Sequence, residues 1–117
     1  MDFKNLISIL NNFDEIDLPG EAAHIEIAPY RNKRFNKLQN NPRYAAVLIH
    51  LYPIKNETYF TLIKRATYEG AHSGQIALPG GKVEKEDLNS TETALREARE
   101  ETNITSKNLK IIGELTK

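Results

Sequence analysis

The sequence predicts an α/β domain, and three stretches carry that prediction. Residues 44–52, YAAVLIHLY, form a continuous apolar run of the kind found in strands buried on both faces. Residues 58–64, TYFTLIK, follow a turn over residues 53–57 and read as the returning strand of a hairpin. Residues 89–102 then change to helical patterning, bounded by residues that start and stop helices.

Taken in order, Phe3, Leu6, Ile7, Leu10 and Phe13 recur at helical spacing and predict a short amphipathic helix over residues 2–12. Its apolar stripe would pack on the domain or on a partner subunit. Leu18-Pro19-Gly20 is a turn, and the weak alternation of residues 21–27 predicts an edge strand or extended arm ending near Pro29. Residues 30–37 interleave Arg and Lys with Tyr30 and Phe35. On a neutral chain that pattern reads as a solvated linker or helix before a grip on nucleic acid, with a site for substrate phosphates between the two. Asn40-Asn41-Pro42 separates this N-terminal helix and arm, residues 1–41, from the domain proper, residues 42–117. His50 within the first strand reads as a packed, hydrogen-bonded side chain. Residues 74–78 form a short strand leading into Pro79-Gly80-Gly81, where a tight turn is expected. Residues 110–115 start a further strand, at which the sequence stops.

Composition narrows the function. The 117 residues suit one domain, and 16 basic against 16 acidic residues give no net charge. Bulk electrostatics therefore draw the chain neither to nucleic acid nor to an anionic membrane, and anion recognition has to come from local geometry. With no cysteine there is no thiol nucleophile, disulfide or thiolate zinc site. Without an apolar run of about 18 residues or a leader pattern, a soluble, cytoplasmic protein is expected.

The chemistry concentrates in residues 80–104. On a helix over residues 89–102, Glu97, Glu100 and Glu101 fall within about 100° of each other. Leu88, Thr91, Leu95, Ala98 and Thr102 gather opposite them as the expected packing stripe. Like charges at this spacing repel by a few tenths of a kcal/mol per pair, and the C-terminal end of the helix dipole opposes them too. A divalent cation offsets that repulsion, and oxygen-only donors favour Mg²⁺ or Mn²⁺. A solvated acidic face with Arg96 and Arg99 as local partners is the competing reading. Asn89 with Glu92 suits a capping box, and Asn103 suits a left-handed helix end.

This stretch resembles the Nudix box: Arg96, Glu97, Glu100 and Glu101 fall in register, with Ala98 and Ile104 at its apolar positions. Asn103 stands where the box has Gly, and the span from Gly81 to Arg96 is one residue longer than the standard spacer, with Asp87 or Glu86 at the early acidic position. The longer spacer, the segment Gly74-Gln75-Ile76-Ala77-Leu78-Pro79-Gly80-Gly81 and Arg65 are similar to the coenzyme A diphosphatase branch, although Leu78 replaces a Phe and Gly70 an Arg.

The resemblance implies an α/β/α sandwich with a mixed sheet, beside which the box forms a loop and helix, and from which the C-terminal strands and helix of the domain are missing here. It also implies hydrolysis of a nucleoside diphosphate derivative, with coenzyme A foremost and ADP-ribose, NADH, a dNTP or a non-catalytic nucleotide-binding module as alternatives. Glu97 and Glu101 would be the principal metal ligands, Glu100 a further ligand or the base, and the Gly81 carbonyl part of the shell. Arg96 would pair with Glu100 one turn on. Arg65, Gly80, Gly81, His72 and Gln75 are the expected substrate contacts, with Arg65 alternatively covering a sheet edge. The amphipathic N-terminal helix and the unfinished sheet would both suit a homodimer.

Overall fold

The computed structural model describes residues 1–28, 43–67, 69–70 and 73–115. Its elements are α1 (Phe3–Leu10), a 3-10 turn (Phe13–Glu15), α2 (Gly20–Ile27), β1 (Ala45–Val47), β2 (Leu51–Ile54), β3 (Glu57–Phe60), β4 (Ile63–Lys64), β5 (Ile76–Ala77), β6 (Gly80–Lys82), α3 (Ser90–Thr102) and a second 3-10 turn (Ser106–Asn108). The α/β character expected from the sequence is present. In place of one mixed sheet, the described strands form three antiparallel ladders, β1 with β6, β2 with β3 and β4 with β5. The basic run over residues 30–37 lies outside the described residues.

Asp2 starts α1 by accepting the Asn5 N–H at 3.0 Å, which satisfies one of the unpaired donors of the first turn. The helix then docks on the hairpin: Phe3 N–H donates to the Asn56 carbonyl at 2.7 Å and Thr58 N–H to the Met1 carbonyl at 3.0 Å. The Asn56 side-chain amide also donates to Asp2. The hairpin turns through Lys55 and Asn56, both at positive φ (50° and 67°), the conformation that matches the twist of a two-residue connection.

Several expectations are corrected. Residues 21–27 form the helix α2, not an extended arm; Ala22 and Ala23 have the strongest helix propensity, and four or five alternating positions are too few to outweigh it. The apolar run over residues 44–52 is not one strand but two, because the chain changes partner within it. Leu48 N–H still donates to Pro79 in the first ladder at 2.8 Å, while the His50 carbonyl already accepts Thr61 N–H in the next at 3.1 Å. Nor is the run buried on both faces: Tyr44 is 73% and Val47 59% exposed, since α3 covers β1 from one side. Gly80 and Gly81 do not turn the chain; they lie in β6, opposite Val47 and Ala46.

Finally, residues 110–115 have no strand partner among the described residues and pack as an extended tail. Lys110 Nζ donates to Asn11 Oδ1 at 3.0 Å, Ser90 Oγ donates to Glu114 Oε1 at 2.7 Å, and Gly113 lies so close beneath the Phe13 ring that a Cβ there would overlap it.

The buried centre of the described residues is small and lies where α3 meets β1 and β6. Thr93 and Ala98 are fully buried, with Ala94, Pro79 and Gly80 around them. This revises the expected packing stripe, of which Ala98 is buried and Thr91, Leu95 and Thr102 are half-buried. Leu88 precedes the helix and is 85% exposed, whereas the seam follows Ala94 and Ala98. On a helix that seam also carries Glu97 and Glu101, three residues after each alanine. Two of the carboxylates therefore sit on the packing side, not opposite it.

The loop between β6 and α3 is held by one guanidinium. Arg96 Nε and Nη2 donate to the two Asp87 oxygens at 3.0 and 2.9 Å, and Nη2 also donates to the Lys82 carbonyl at 2.9 Å. Asp87, 6% exposed, accepts further bonds from Glu84 N–H and the Thr93 hydroxyl, each at 2.9 Å. The Arg96 bonds first, then those from Glu84 and Thr93, hold the Asp87 carboxyl well below the usual carboxylate range.

Two outcomes follow for stability. Ala98→Leu, which inserts bulk into the seam, should cost about 1–3 kcal/mol in a urea titration. Asp87 has a depressed folded-state pKa, so its contribution is present above the unfolded value of about 3.9 and fades as pH falls below it. Asp87→Asn should accordingly destabilise the protein at neutral pH, and the gap between the two denaturation midpoints should narrow progressively below about pH 4.

Candidate active site

The helix that carries the carboxylates begins and ends as its sequence requires. Asn89 Oδ1 accepts Glu92 N–H at 2.9 Å, and Glu92 Oε2 accepts Leu88 N–H at 2.9 Å, a variant of the reciprocal cap. At the other end Asn103 takes the left-handed conformation (φ 60°) and returns its N–H to the Arg99 carbonyl. Those fixed ends set which side chains face β6.

The ladder register determines what β6 presents to them. Ala45, Ala46 and Val47 oppose Lys82, Gly81 and Gly80, with Leu48 N–H bonded to Pro79 and Val83 N–H to Tyr44 on either side. Hydrogen-bonded and non-bonded pairs alternate in such a ladder, so Gly81 points its N–H and carbonyl at Ala46 while Gly80 and Lys82 point theirs away from β1. The side chains of α3 take up that outward row. Gly80 N–H donates to Glu101 Oε2 at 3.0 Å, and the Lys82 carbonyl accepts from Arg96. The backbone oxygen next to the carboxylates is accordingly Gly80's, and the Gly81 carbonyl expected in a metal shell is turned into the ladder.

Glu97 lies against Gly81 and accepts a hydrogen bond from Arg96 Nη1 at 2.9 Å. Glu100 is 54% exposed and only 3.7 Å from the same Nη1. The expected Arg96–Glu100 pair is therefore the weakest of the Arg96 contacts, and Asp87 is its principal partner. Of Asp87 and Glu86, the two candidates for the early acidic position, Asp87 forms the bidentate pair with Arg96.

Arg65 follows β4, its N–H bonded to the Gln75 carbonyl at 2.9 Å. It shares an open cleft of about 290 Å³ with Ile63, Lys64, Ala66 and Glu101. Lys64 was not singled out from the sequence; only its place beside Arg65 in a short strand could have signalled it. Gln75 is exposed just before β5, and His72 lies outside the described residues.

All donors near β6 are oxygens, which suits a hard cation. No group of three or more His, Cys, Asp or Glu side chains is arranged to cage an ion among the described residues. What lies along β6 is a pair of carboxylates, Glu97 at Gly81 and Glu101 at the Gly80 amide. That fits an ion such as Mg²⁺, which keeps several waters and takes one or two carboxylates together with substrate phosphates. Among the described residues no helix is long and apolar enough to cross a membrane.

Residues 41–117 match the NUDIX domain family. Over 79 residues the chain is 38% identical to an uncharacterized Nudix hydrolase NudL of Photorhabdus laumondii, covering 68% of this chain and 42% of that protein. The NudL proteins of Yersinia enterocolitica and Enterobacter sp. are 40% and 44% identical over 75 residues, covering 64% of this chain and 38% of each. The chain thus spans about two fifths of the length of the curated relatives it matches. No solved structure matches it significantly. On the match of its residues 41–117 and these identities, the chain belongs to the Nudix family.

Proposed function

We propose that this protein is a Mg²⁺- or Mn²⁺-dependent Nudix hydrolase that cleaves the diphosphate bond of a nucleotide derivative, with coenzyme A or a coenzyme A-like molecule as the favoured substrate. The observation that carries this reading is that Arg65 and Glu101 both line one open surface depression. An anion-binding guanidinium and a carboxylate from the acidic helix are the two groups that recognition of a metal–diphosphate complex requires.

In this reading Glu97 and Glu101 would hold the ion, helped by the Gly80 carbonyl. When bound, the ion neutralises the diphosphate, lowers the pKa of the attacking water and stabilises the departing phosphate. Arg65 binds phosphate oxygens and sets the phosphorus in place. Arg96 holds Glu97 and, through Asp87, ties the helix to the loop. Glu100, exposed and loosely held, orients the water and accepts its proton. Water oxygen bonds to phosphorus as the bridging P–O bond breaks, giving two phosphate monoesters.

Gly70 supplies no side chain where the coenzyme A branch has an Arg, which favours a second reading in which ADP-ribose, NADH or a dNTP is cleaved instead. The test is release of phosphorylated products from coenzyme A, ADP-ribose, NADH and dNTPs with Mg²⁺ or Mn²⁺ and an EDTA control. Phosphopantetheine and adenosine 3′,5′-diphosphate from coenzyme A are the expected products. Cleavage of another member retains the hydrolase and discards coenzyme A, and nucleotide binding without turnover from the folded full-length protein replaces the hydrolase with a binding module. On the preferred substrate, Glu101→Gln should lower kcat by about a hundredfold or more while leaving the melting temperature near wild type. Arg65→Ala should raise KM about tenfold with a smaller change in kcat, as removal of a phosphate contact present before and during reaction does.

A further inference from the structure

Gly80 and Gly81 are neighbours in one strand, yet a side chain at each would meet a different kind of obstacle. A Cβ on Gly80 would overlap the Ala46 carbonyl and lie 2.6 Å from the Val47 Cα, both fixed backbone of β1. At Gly81 the three atoms nearest the Cβ all belong to the Glu97 carboxylate, with Oε2 at 2.7 Å. Backbone cannot yield without breaking the ladder, whereas a carboxylate at the end of a flexible side chain can swing aside. Substitution at Gly80 is therefore a question of fold, and substitution at Gly81 a question of where one carboxylate sits.

Glu97 has little choice of place while Gly81 is bare. Its Oε1 is held by Arg96 Nη1 at 2.9 Å and its carboxylate fills the space a Gly81 Cβ would take. Arg96 is in turn fixed by Asp87 and the Lys82 carbonyl, so it cannot follow a displaced carboxylate. The partner carboxylate, Glu101, is held on the other side of the pair by Gly80 N–H at 3.0 Å.

We propose that Gly81 is a positioning residue for the carboxylate pair: its missing side chain is the seat of Glu97, and any Cβ there moves Glu97 out of line with Glu101. This rests on the metal site proposed above and adds to it a role for Gly81 that needs neither its carbonyl nor a contact with substrate. The pair is built against the strand, and its spacing is set by two adjacent backbone positions acting in different ways.

The test is Mn²⁺ binding to the full-length protein, followed by electron paramagnetic resonance of the unbound ion, with thermal melting alongside. Gly81→Ala should weaken Mn²⁺ binding about tenfold or more, the usual effect of disturbing a residue that orients a ligand, with a melting temperature near wild type. Gly80→Ala should lower the melting temperature markedly. In a Glu97→Ala background, Gly81→Ala should cause no further loss of Mn²⁺ affinity, because the residue through which it acts is gone. Wild-type Mn²⁺ affinity in Gly81→Ala, or an additive loss in the double variant, overturns the inference while leaving the metal site standing. Wild-type protein with no Mn²⁺ affinity overturns the metal site and this inference with it. Should Gly81→Ala fail to fold, the overlap at Gly81 is one of backbone after all, and the role assigned to it is wrong.

Discussion

The structure around the site depends on one guanidinium. Arg96 uses Nε, Nη1 and Nη2 at once, on Asp87 in the loop, Glu97 in its own helix and the Lys82 carbonyl in β6. Only a planar, forked donor can make this set of bonds, and a lysine ammonium, a single point of charge, could not span it. Between the Val83 N–H bond to Tyr44 and the Leu88 N–H bond to Glu92, the path of the loop is held by what Asp87 bonds. Without that anchor neither the entry to α3 nor the distance between helix and strand would be determined.

Around the clamp, the side chains are kept small. Ala94 and Ala98 on the helix and Gly80 and Gly81 on the strand keep this contact free of bulk, and Glu101 reaches the Gly80 amide directly. Bulky apolar residues would stabilise the seam more by burial but would hold the helix away from β6. The scaffold thus gives up hydrophobic packing at the place where polar reach is needed. A one-residue shift of the strand register would point Gly80 N–H into the ladder and leave Glu101 without it.

Much of this was legible in the sequence, and the misses share a cause. The limits of α3 could be read because Asn89, Glu92 and Asn103 act through bonds within a few residues of themselves. Arg96, Glu97, Glu100 and Glu101 could be recognised as a group because helical spacing places them together. What could not be read is which partner each finds across the chain. Arg96 was expected to reach Glu100 four residues on, but a carboxylate nine residues back in sequence lies closer in space. The run over residues 44–52 looks like one strand because hydropathy records burial, not a change of ladder at Leu48. Pro79-Gly80-Gly81 has the composition of a turn, although its glycines serve close approach, a need that only the opposing residues reveal. Residues 110–115 have strand-like side chains, but a strand requires a second strand.

The distribution of buried residues also says where this protein resists thermal opening. Thr93, Ala94, Ala98 and Pro79 all border the contact of α3 with β1 and β6, while Tyr59, Phe60 and Ile76 on the other ladders remain largely in contact with water. Local opening costs least where few apolar contacts are lost, so amide exchange should be fast through the outer ladders and slow in α3. The Gly80 amide, bonded to Glu101, belongs to the slow group. The acidic helix and the strand beneath it would therefore keep their mutual arrangement through fluctuations that transiently unzip the hairpin, so that among the described residues the electrostatically least comfortable part is also the most persistent.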